Sequence, residues 1–372
     1  MYKRQTVVTG GTPSTRKNEY WDNGDIPWLQ SGCCQNCDVD STEKYITKEG
    51  YNNSSTHMMS ADTVMIALTG ATAGKVGYLK FEACGNQSIT GILPCESLNQ
   101  RYLFFYLLSQ REKILADCVG GAQAHISQSY VKNMTIPILA IKEQEQIVGE
   151  LTKVSNIVSL RQEEIQQLDN LVKARFVEMF GDCTNMISLS ELCLIITDGT
   201  HQSPKFQHDG IPFILVSNLS KNTVTYDTDK FISAETYKEL YKRTPIEIGD
   251  ILLSTVGSYG HPAVVVEDRK FLFQRHIAYL KPKSDILNSY YMHGALLSPG
   301  CQRQIEEKVK GIAQKTLNLS EIRKIRIPVP SLDLQKQYAD FVHQVNKSKV
   351  AVQKALDETQ ILFDSLMQKY FG

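Results

Sequence analysis

Ala122-Gln123 and Ala313-Gln314 repeat one dipeptide at an offset of 191 residues, and the same offset joins Ser129 to Ser320 and Ile136-Pro137 to Ile327-Pro328. It runs without a gap through Gln144/Gln335, Gln146/Gln337 and Leu171/Leu362 to Phe180-Gly181/Phe371-Gly372, about sixty positions in register. Self-similarity on this scale means two copies of one structural unit. Upstream the offset drifts, as it does when surface loops gain and lose residues around a kept scaffold. "DIPWLQ" (Asp25 to Gln30) faces "GIPFIL" (Gly210 to Leu215) at 185. "DTVMIALTG" (Asp62 to Gly70) faces "DILLSTVG" (Asp250 to Gly257) at 188, slipping to 187, and Gln87 faces Gln274 at 187. Each copy is a variable body followed by a well-matched tail.

The tails have a helical period. Ile147, Leu151, Val154, Val158, Arg161, Ile165, Leu168, Val172, Arg175 and Met179 step by four and three alternately, the spacing of a coiled-coil seam. The second copy repeats it as Tyr338, Val342, Val345, Lys349, Val352, Leu356, Thr359, Phe363, Leu366 and Tyr370. From Gln144 to Gly181 such a helix extends about 57 Å at 1.5 Å per residue. One narrow apolar stripe on so long a helix needs a partner. The polar seam positions differ between copies (Arg161 against Val352, Val158 against Lys349), which favours an antiparallel pair of the two tails over each packing on its own body. Prolines announce the helices in "TIPI" and "RIPVPSLDL", and glycine ends them at "FG".

In the bodies, "TVMIAL", "VGYLKF", "DILLST" and "PAVVVE" read as strands. "RYLFFYLLSQREKILADCV" and "SYYMHGALLSPGCQRQIEEKV" each read as one helix by apolar period. The expected class is α+β, with a body over 1–142, a spacer helix over 143–182, a second body over 183–333 and a second spacer helix over 334–372. At 372 residues the chain is long enough for two cores. With 42% hydrophobic and 22% charged residues, it has the composition of a folded soluble chain. No run approaches the roughly 18 apolar residues of a membrane span and no signal-peptide pattern opens it, so a cytoplasmic, membrane-free protein is expected. Nine cysteines in no regular framework read as free thiols. "CCQNC" (Cys33, Cys34, Cys37) holds one CxxC, and even with His57 as a fourth ligand it lacks the second pair of a zinc ribbon; no metal is expected.

The 40 basic and 40 acidic residues cancel. By segment they give 13 against 12 over 1–142, 4 against 8 over 143–182, 18 against 16 over 183–333 and 5 against 4 over 334–372. A nucleic-acid binder with this balance grips locally or with help. Catalytic signatures are missing. "TGATAGKV" has its first glycine one residue too close for a phosphate loop and ends in valine, and neither GxSxG nor HExxH occurs. No Asn-Pro-Pro-aromatic stretch of the adenine-methyltransferase kind occurs either. A two-headed coiled-coil adaptor, or an enzyme with dispersed acidic residues, are the competing classes.

The order of "GGTPSTRKNEYW", "GDIPWLQSG", "ALTGATAGKVGYL", "NQSITGILP", "GGAQAHISQSYVKNMTIPI" and "EQEQIVGEL" resembles the specificity subunit of type I restriction-modification enzymes. "DGTHQSP", "GIPFILVSN", "LLSTVGSYG", "FQRHIAYLKP" and "IAQKTLNLSEIRKIRIPVP" repeat it, so the resemblance covers essentially the whole chain. It implies two target recognition domains, each reading half of an asymmetric split DNA site, held apart by an antiparallel coiled coil. The partners it implies are double-stranded DNA, two modification subunits that bind S-adenosylmethionine and methylate adenine, and, where present, two restriction subunits that use ATP and Mg. The specificity subunit itself has no catalytic role and no cofactor. A coil of about 57 Å would suit reading two places on one face of a duplex, about 34 Å per turn. Zero net charge then predicts weak DNA affinity for the isolated chain. One departure is that "ISLSELCLIITDGT" (Ile187 to Thr200) has a leucine-containing lead that "MYKRQTVVTGGT" lacks, which leaves the edge of the first domain short.

Base edges are read by Arg, Lys, Gln and Asn above all. The loops of the first body offer Arg16, Lys17, Lys75, Asn86, Gln87, Gln123 and His125. Those of the second offer His201, Gln202, Lys205, Tyr259, His261, Gln274, Arg275, Gln314 and Lys315. Residues shared by copies that should read different bases, Gln123/Gln314 and Gln87/Gln274, are expected to hold loops or contact phosphates. Unlike pairs such as Lys75/His261 and His125/Thr316 are expected to discriminate.

Overall fold

A computed structural model describes residues 6–117, 125–311 and 315–372. They fall into two units, Met1–Arg161 with Ala355–Gly372, and Gln162–Lys354. The expected α+β class is observed, with two 40-residue helices, Ile141–Phe180 and Leu332–Phe371. Among the described residues no helix is long and apolar enough to cross a membrane.

In unit 1 a five-stranded sheet has the order Val7–Thr9, Ile89–Ile92, Val64–Ala67, Val76–Leu79, Cys37–Val39. Its central strands are buried on both faces, which is why they read as continuous apolar runs rather than alternating ones. Beside it a three-stranded sheet places Ile26–Leu29 between Tyr45–Ile46, antiparallel, and Cys84–Gly85, parallel. Unit 2 repeats both sheets. Cys193–Asp198, Ile277–Pro282, Ile251–Ser254 and Pro262–Val264 form the larger one, and Ile211–Ile214 lies between Phe231–Ile232 and Leu272–Phe273.

The helix expected over 101–119 is two, Gln100–Ser109 and Arg111–Ala116, among the described residues. That expected over 289–309 is also two, Ser289–Leu297 and Pro299–Lys308. Proline cannot continue a helix but suits its first position, and Ser298 caps the new start by accepting from Cys301 N. "RIPV" forms a strand, Arg326–Pro328, paired with Met186–Ser188, whereas "TIPI" lies outside any strand.

The matched tails explain themselves at both ends. Gln144 is fully buried; its Oε1 accepts from Asn99 N at 2.8 Å and its Nε2 donates to Leu139 O at 2.8 Å. Gln335 does the same with Asn288 N at 2.9 Å and Pro330 O at 3.0 Å. Asn99 and Asn288 are themselves the N-caps of Gln100–Ser109 and Ser289–Leu297. One carboxamide thus ties the start of each long helix to the start of a body helix. At the other end, Phe180 packs edge-on to Tyr291 with ring centres 4.9 Å apart, and Phe371 packs on Tyr102 at 5.3 Å. Each such aromatic buries roughly 150–250 Å², so the "FG" ends are core residues of their units.

The seam positions are buried or half-buried in both helices, while their neighbours are mostly exposed. Contacts along the seam run antiparallel. Tyr370 Oη bonds Glu150 and Arg161 bonds the Ala355 carbonyl and Thr359 in unit 1; Lys349 bonds Asp169 and Tyr338 Oη bonds Val172 O in unit 2.

Candidate nucleic-acid interface

In each unit the loop ends of the small sheet converge. Gly10 lies so close to the end of Cys84–Gly85 that a Cβ there would sit 2.0 Å from Asn86 O. Gly199 is the equivalent, 2.3 Å from Phe273 O. The hydrogen bonds of Gly10 N to Ile89 O and of Gly199 N to Ile277 O make these two glycines equivalent, one residue off the match that "TGGT" and "TDGT" show by letter. In unit 1 Trp28 donates from Nε1 to Gly11 O at 3.0 Å and stands edge-on to Trp21 at 5.0 Å. Above them opens a concavity of about 800 Å³ whose rim includes Gln30, Lys44, Tyr45, Asn86 and Gln87.

Of the residues expected from sequence, Asn86 and Gln87 line this concavity, and Arg16 and Lys17 project from the exposed loop that forms its edge. Lys17 bonds Tyr20 Oη at 2.9 Å and lies 3.4 Å from Glu19, and the bond to Tyr20 raises its pKa. Lys75 and His125 flank a different feature, the turn after Val64–Ala67. Lys75 Nζ donates to Gln35 at 2.7 Å, and His125 pairs with Thr69. Gln30, Lys44 and Tyr45 were not anticipated. Lys44 and Tyr45 lie exposed at the start of the edge strand Tyr45–Ile46, and Gln30 follows the end of the central strand Ile26–Leu29.

In unit 2 His201, Gln202 and Lys205 are exposed on the loop after Cys193–Asp198. His201 lies 2.9 Å from Asp198, which also pairs with Arg243 at 2.7 Å. Tyr259 and Lys315 come together, the ammonium 5.9 Å from the ring centre, beside the turn before Pro262–Val264. His261 Nδ1 lies 3.0 Å from Asn222 Oδ1. Gln123 and Gln314 lie outside the described residues. His57 Nδ1 sits 3.1 Å from Thr9 O, and among the described residues no group of three His, Cys, Asp or Glu side chains is placed to hold a metal.

The backbone register revises one equivalence. Asn86 N donates to Leu29 O at 2.9 Å, and Gln274 N donates to Ile214 O at 3.1 Å. Ile89 N returns to Asn86 O, and Ile277 N to Gln274 O. Gln274 therefore stands where Asn86 does, and Gln87 is matched by Arg275. Lys75 and His261 do correspond, since Ala67 N donates to Lys75 O and Ser254 N to His261 O. His125 and Thr316 correspond through their bridges to Thr69 and Val256.

The same two-copy arrangement is found in known proteins. The family model for the type I restriction modification DNA specificity domain matches this chain twice, over residues 6–170 and 184–359. The chain belongs to that family. The specificity subunit of the Escherichia coli enzyme EcoR124I/EcoR124II is 34% identical over 155 residues, 40% of this chain and 38% of that protein. The MjaIX specificity subunit of Methanocaldococcus jannaschii is 22% identical over 98% of this chain and 89% of its own length. The E. coli EcoBI specificity subunit is 26% identical over 79% of this chain and 63% of its own. Thus two of these three relatives are matched over less than two thirds of their length. The crystal structure of the type I restriction-modification S subunit from M. genitalium superposes with a TM-score of 0.54, 16% identity, 99% of this chain and 94% of that one. A chain from a structure concerned with assembly and conformational transition of the type I system superposes at 0.53, with 18% identity, over 100% and 99%. Each of the two units thus carries a match to the DNA specificity domain.

Proposed function

We propose that this chain directs a type I restriction-modification complex to an asymmetric, bipartite DNA site, each unit reading one half. The carrying observation is that the two units share a loop framework bond for bond yet present different side chains from it. Two identical readers would call for a palindrome, whereas two unlike readers on one chain call for two unlike half-sites. In this reading the long helices space the readers, and two modification subunits dock on the chain. S-adenosylmethionine is held by those subunits, and ATP and Mg by restriction subunits where they are present, all in the cytoplasm. Of the loop residues, Arg16, Lys17, Lys75, His125, His201, Gln202, Lys205, Tyr259, His261 and Lys315 face the duplex, some to bases and some to phosphates, while Asn86 and Gln274 hold the loops.

The net charge of zero gives the lone chain little attraction for phosphate. Gel shifts should show tight specific binding only once modification subunits are added. The decisive experiment exchanges one body with that of another family member and maps methylated adenines in the host by long-read sequencing. One half-site should change and the other persist. A change in both would sink the division of labour.

A further inference from the structure

We propose that Gln87 and Arg275 are the equivalent base-reading side chains of the two units, Gln87 selecting an A·T pair in one half-site and Arg275 a G·C pair in the other. This assignment rests on the division of labour proposed above and names the residues that carry it.

The two side chains stand at the same point of the same turn. Asn86-Gln87-Ser88-Ile89 and Gln274-Arg275-His276-Ile277 are each closed by an amide-to-carbonyl bond from the fourth residue to the first, at 3.2 and 3.1 Å. Each is anchored at its first residue to the neighbouring strand, on Leu29 O and Ile214 O. Each is anchored again at its third residue, where Ser88 O accepts from Leu68 N and His276 O from Thr255 N. Burial follows the same order in both turns: half-buried, exposed, half-buried, buried. The framework is thus fixed by three backbone bonds in each copy, and the one fully exposed side chain of the turn differs in chemistry between them.

That difference argues for bases over phosphates. A phosphate contact is needed alike in both half-sites and is best met by a cation. Here one copy supplies a neutral carboxamide and the other a guanidinium. Asn86 and Gln274, the adjacent half-buried amides, are the matched pair and belong to the framework: Asn86 Oδ1 accepts from Ser88 N at 3.1 Å. The bidentate partners of these side chains are distinct, glutamine with adenine N6 and N7, arginine with guanine O6 and N7.

Both side chains are prepared for such a contact. Thr12 Oγ1 donates to Gln87 Oε1 at 2.6 Å, fixing the carboxamide while leaving its NH₂ and a second lone pair on the oxygen. Gln87 sits at the rim of the concavity floored by Trp21 and Trp28. Arg275 makes no ion pair among the described residues, and the strand-end carboxylate Asp198 is occupied by His201 and Arg243. Its Nε contacts His276 Nε2 at 3.3 Å, which leaves the terminal fork free. Loss of hydration, then the Arg275 charge, lowers the pKa of His276, so the imidazole accepts rather than competes as a second cation.

The test uses the chain assembled with its modification subunits and a panel of duplexes in which each pair of the methylated site is replaced in turn. Arg275→Gln should move the preference at one position of one half-site from G·C to A·T, by roughly ten- to a hundredfold, with the other half-site unchanged. Gln87→Arg should do the reverse in the other half-site. Arg275→Ala and Gln87→Ala should flatten discrimination at those same two positions. An unchanged panel overturns the assignment, as does an equal loss on every duplex with a shallower salt dependence, the mark of a phosphate contact. A single substitution that alters both half-sites overturns the division of labour itself.

Discussion

Gln335 accepts the backbone amide of Asn288 on its side-chain oxygen while donating to the Pro330 and Ile286 carbonyls, at 2.9, 3.0 and 3.1 Å, from a fully buried position. Gln144 makes the matching set with Asn99, Leu139 and Ser97. Replacing either glutamine by leucine strands one buried donor and two acceptors. Stranded groups of this kind cost about 1–3 kcal/mol, so Gln335→Leu and Gln144→Leu should each lower the urea midpoint. A glutamate at either site should do worse than leucine, because two carbonyls would then face a carboxylate.

The polar seam residues should behave differently. Arg161 reaches the Ala355 carbonyl and Thr359, but Thr359 also bonds Ala355 O itself at 2.7 Å, so removing the arginine strands nothing. Asp169, paired with Lys349, keeps a side chain 43% exposed to water. Arg161→Met and Lys349→Met should each stay within about 1 kcal/mol of the parent in denaturant titrations. A loss above about 2 kcal/mol would mean that these polar contacts stabilise the helix pair.

Gly10 and Gly199 face backbone atoms, which cannot swing aside as a side chain would. Alanine at either position should displace the strand end that carries Asn86 or Gln274 and cost about 1–3 kcal/mol or more. In the complex proposed above, methylation of native sites should fall with it. Gly149 faces open space, so alanine there serves as the control, and equal stability of all three variants would contradict the close-approach reading.

His293 gives unit 2 an acid sensitivity. Its Nε2 lies 3.0 Å from Asn222 O and 3.1 Å from Pro262 O, and loss of hydration lowers its pKa despite those carbonyls, with Lys349 adding slightly. A depressed histidine contributes stability that is present above its unfolded pKa, about 6.5, and lost as pH falls through the folded value. Unfolding measured from pH 7.5 to 5 should therefore show stability declining below about 6.5. His293→Gln should flatten that decline, and an unaltered slope would assign it elsewhere.

The long helices were legible because a seven-residue apolar repeat has few other uses, and the shared FG ends because they are core residues. The breaks at Gln110 and Ser298 were not, since apolar period alone carries straight across a serine followed by a proline that can equally begin a helix. The pairing of Gln87 with Gln274 was misread for a related reason. Identity of letters drew two glutamines together, while the hydrogen bonds to Leu29 and Ile214 set the register one residue away. The concavity rim was half legible. Asn86 and Gln87 stood out as polar loop residues, but Lys44 and Tyr45 reach it only because their short strand pairs with Ile26–Leu29.

Phe371 and its neighbours complete the core of unit 1, whereas unit 2 is an unbroken stretch of chain. During synthesis the residues up to Arg161 must therefore wait for Ala355–Gly372, which at about 5–20 residues per second is a delay of roughly 10–40 s. Unit 2 lacks nothing once Lys354 has emerged. The unit encoded first is the one finished last, and until then its apolar Tyr102 and Phe105 surface is available to chaperones.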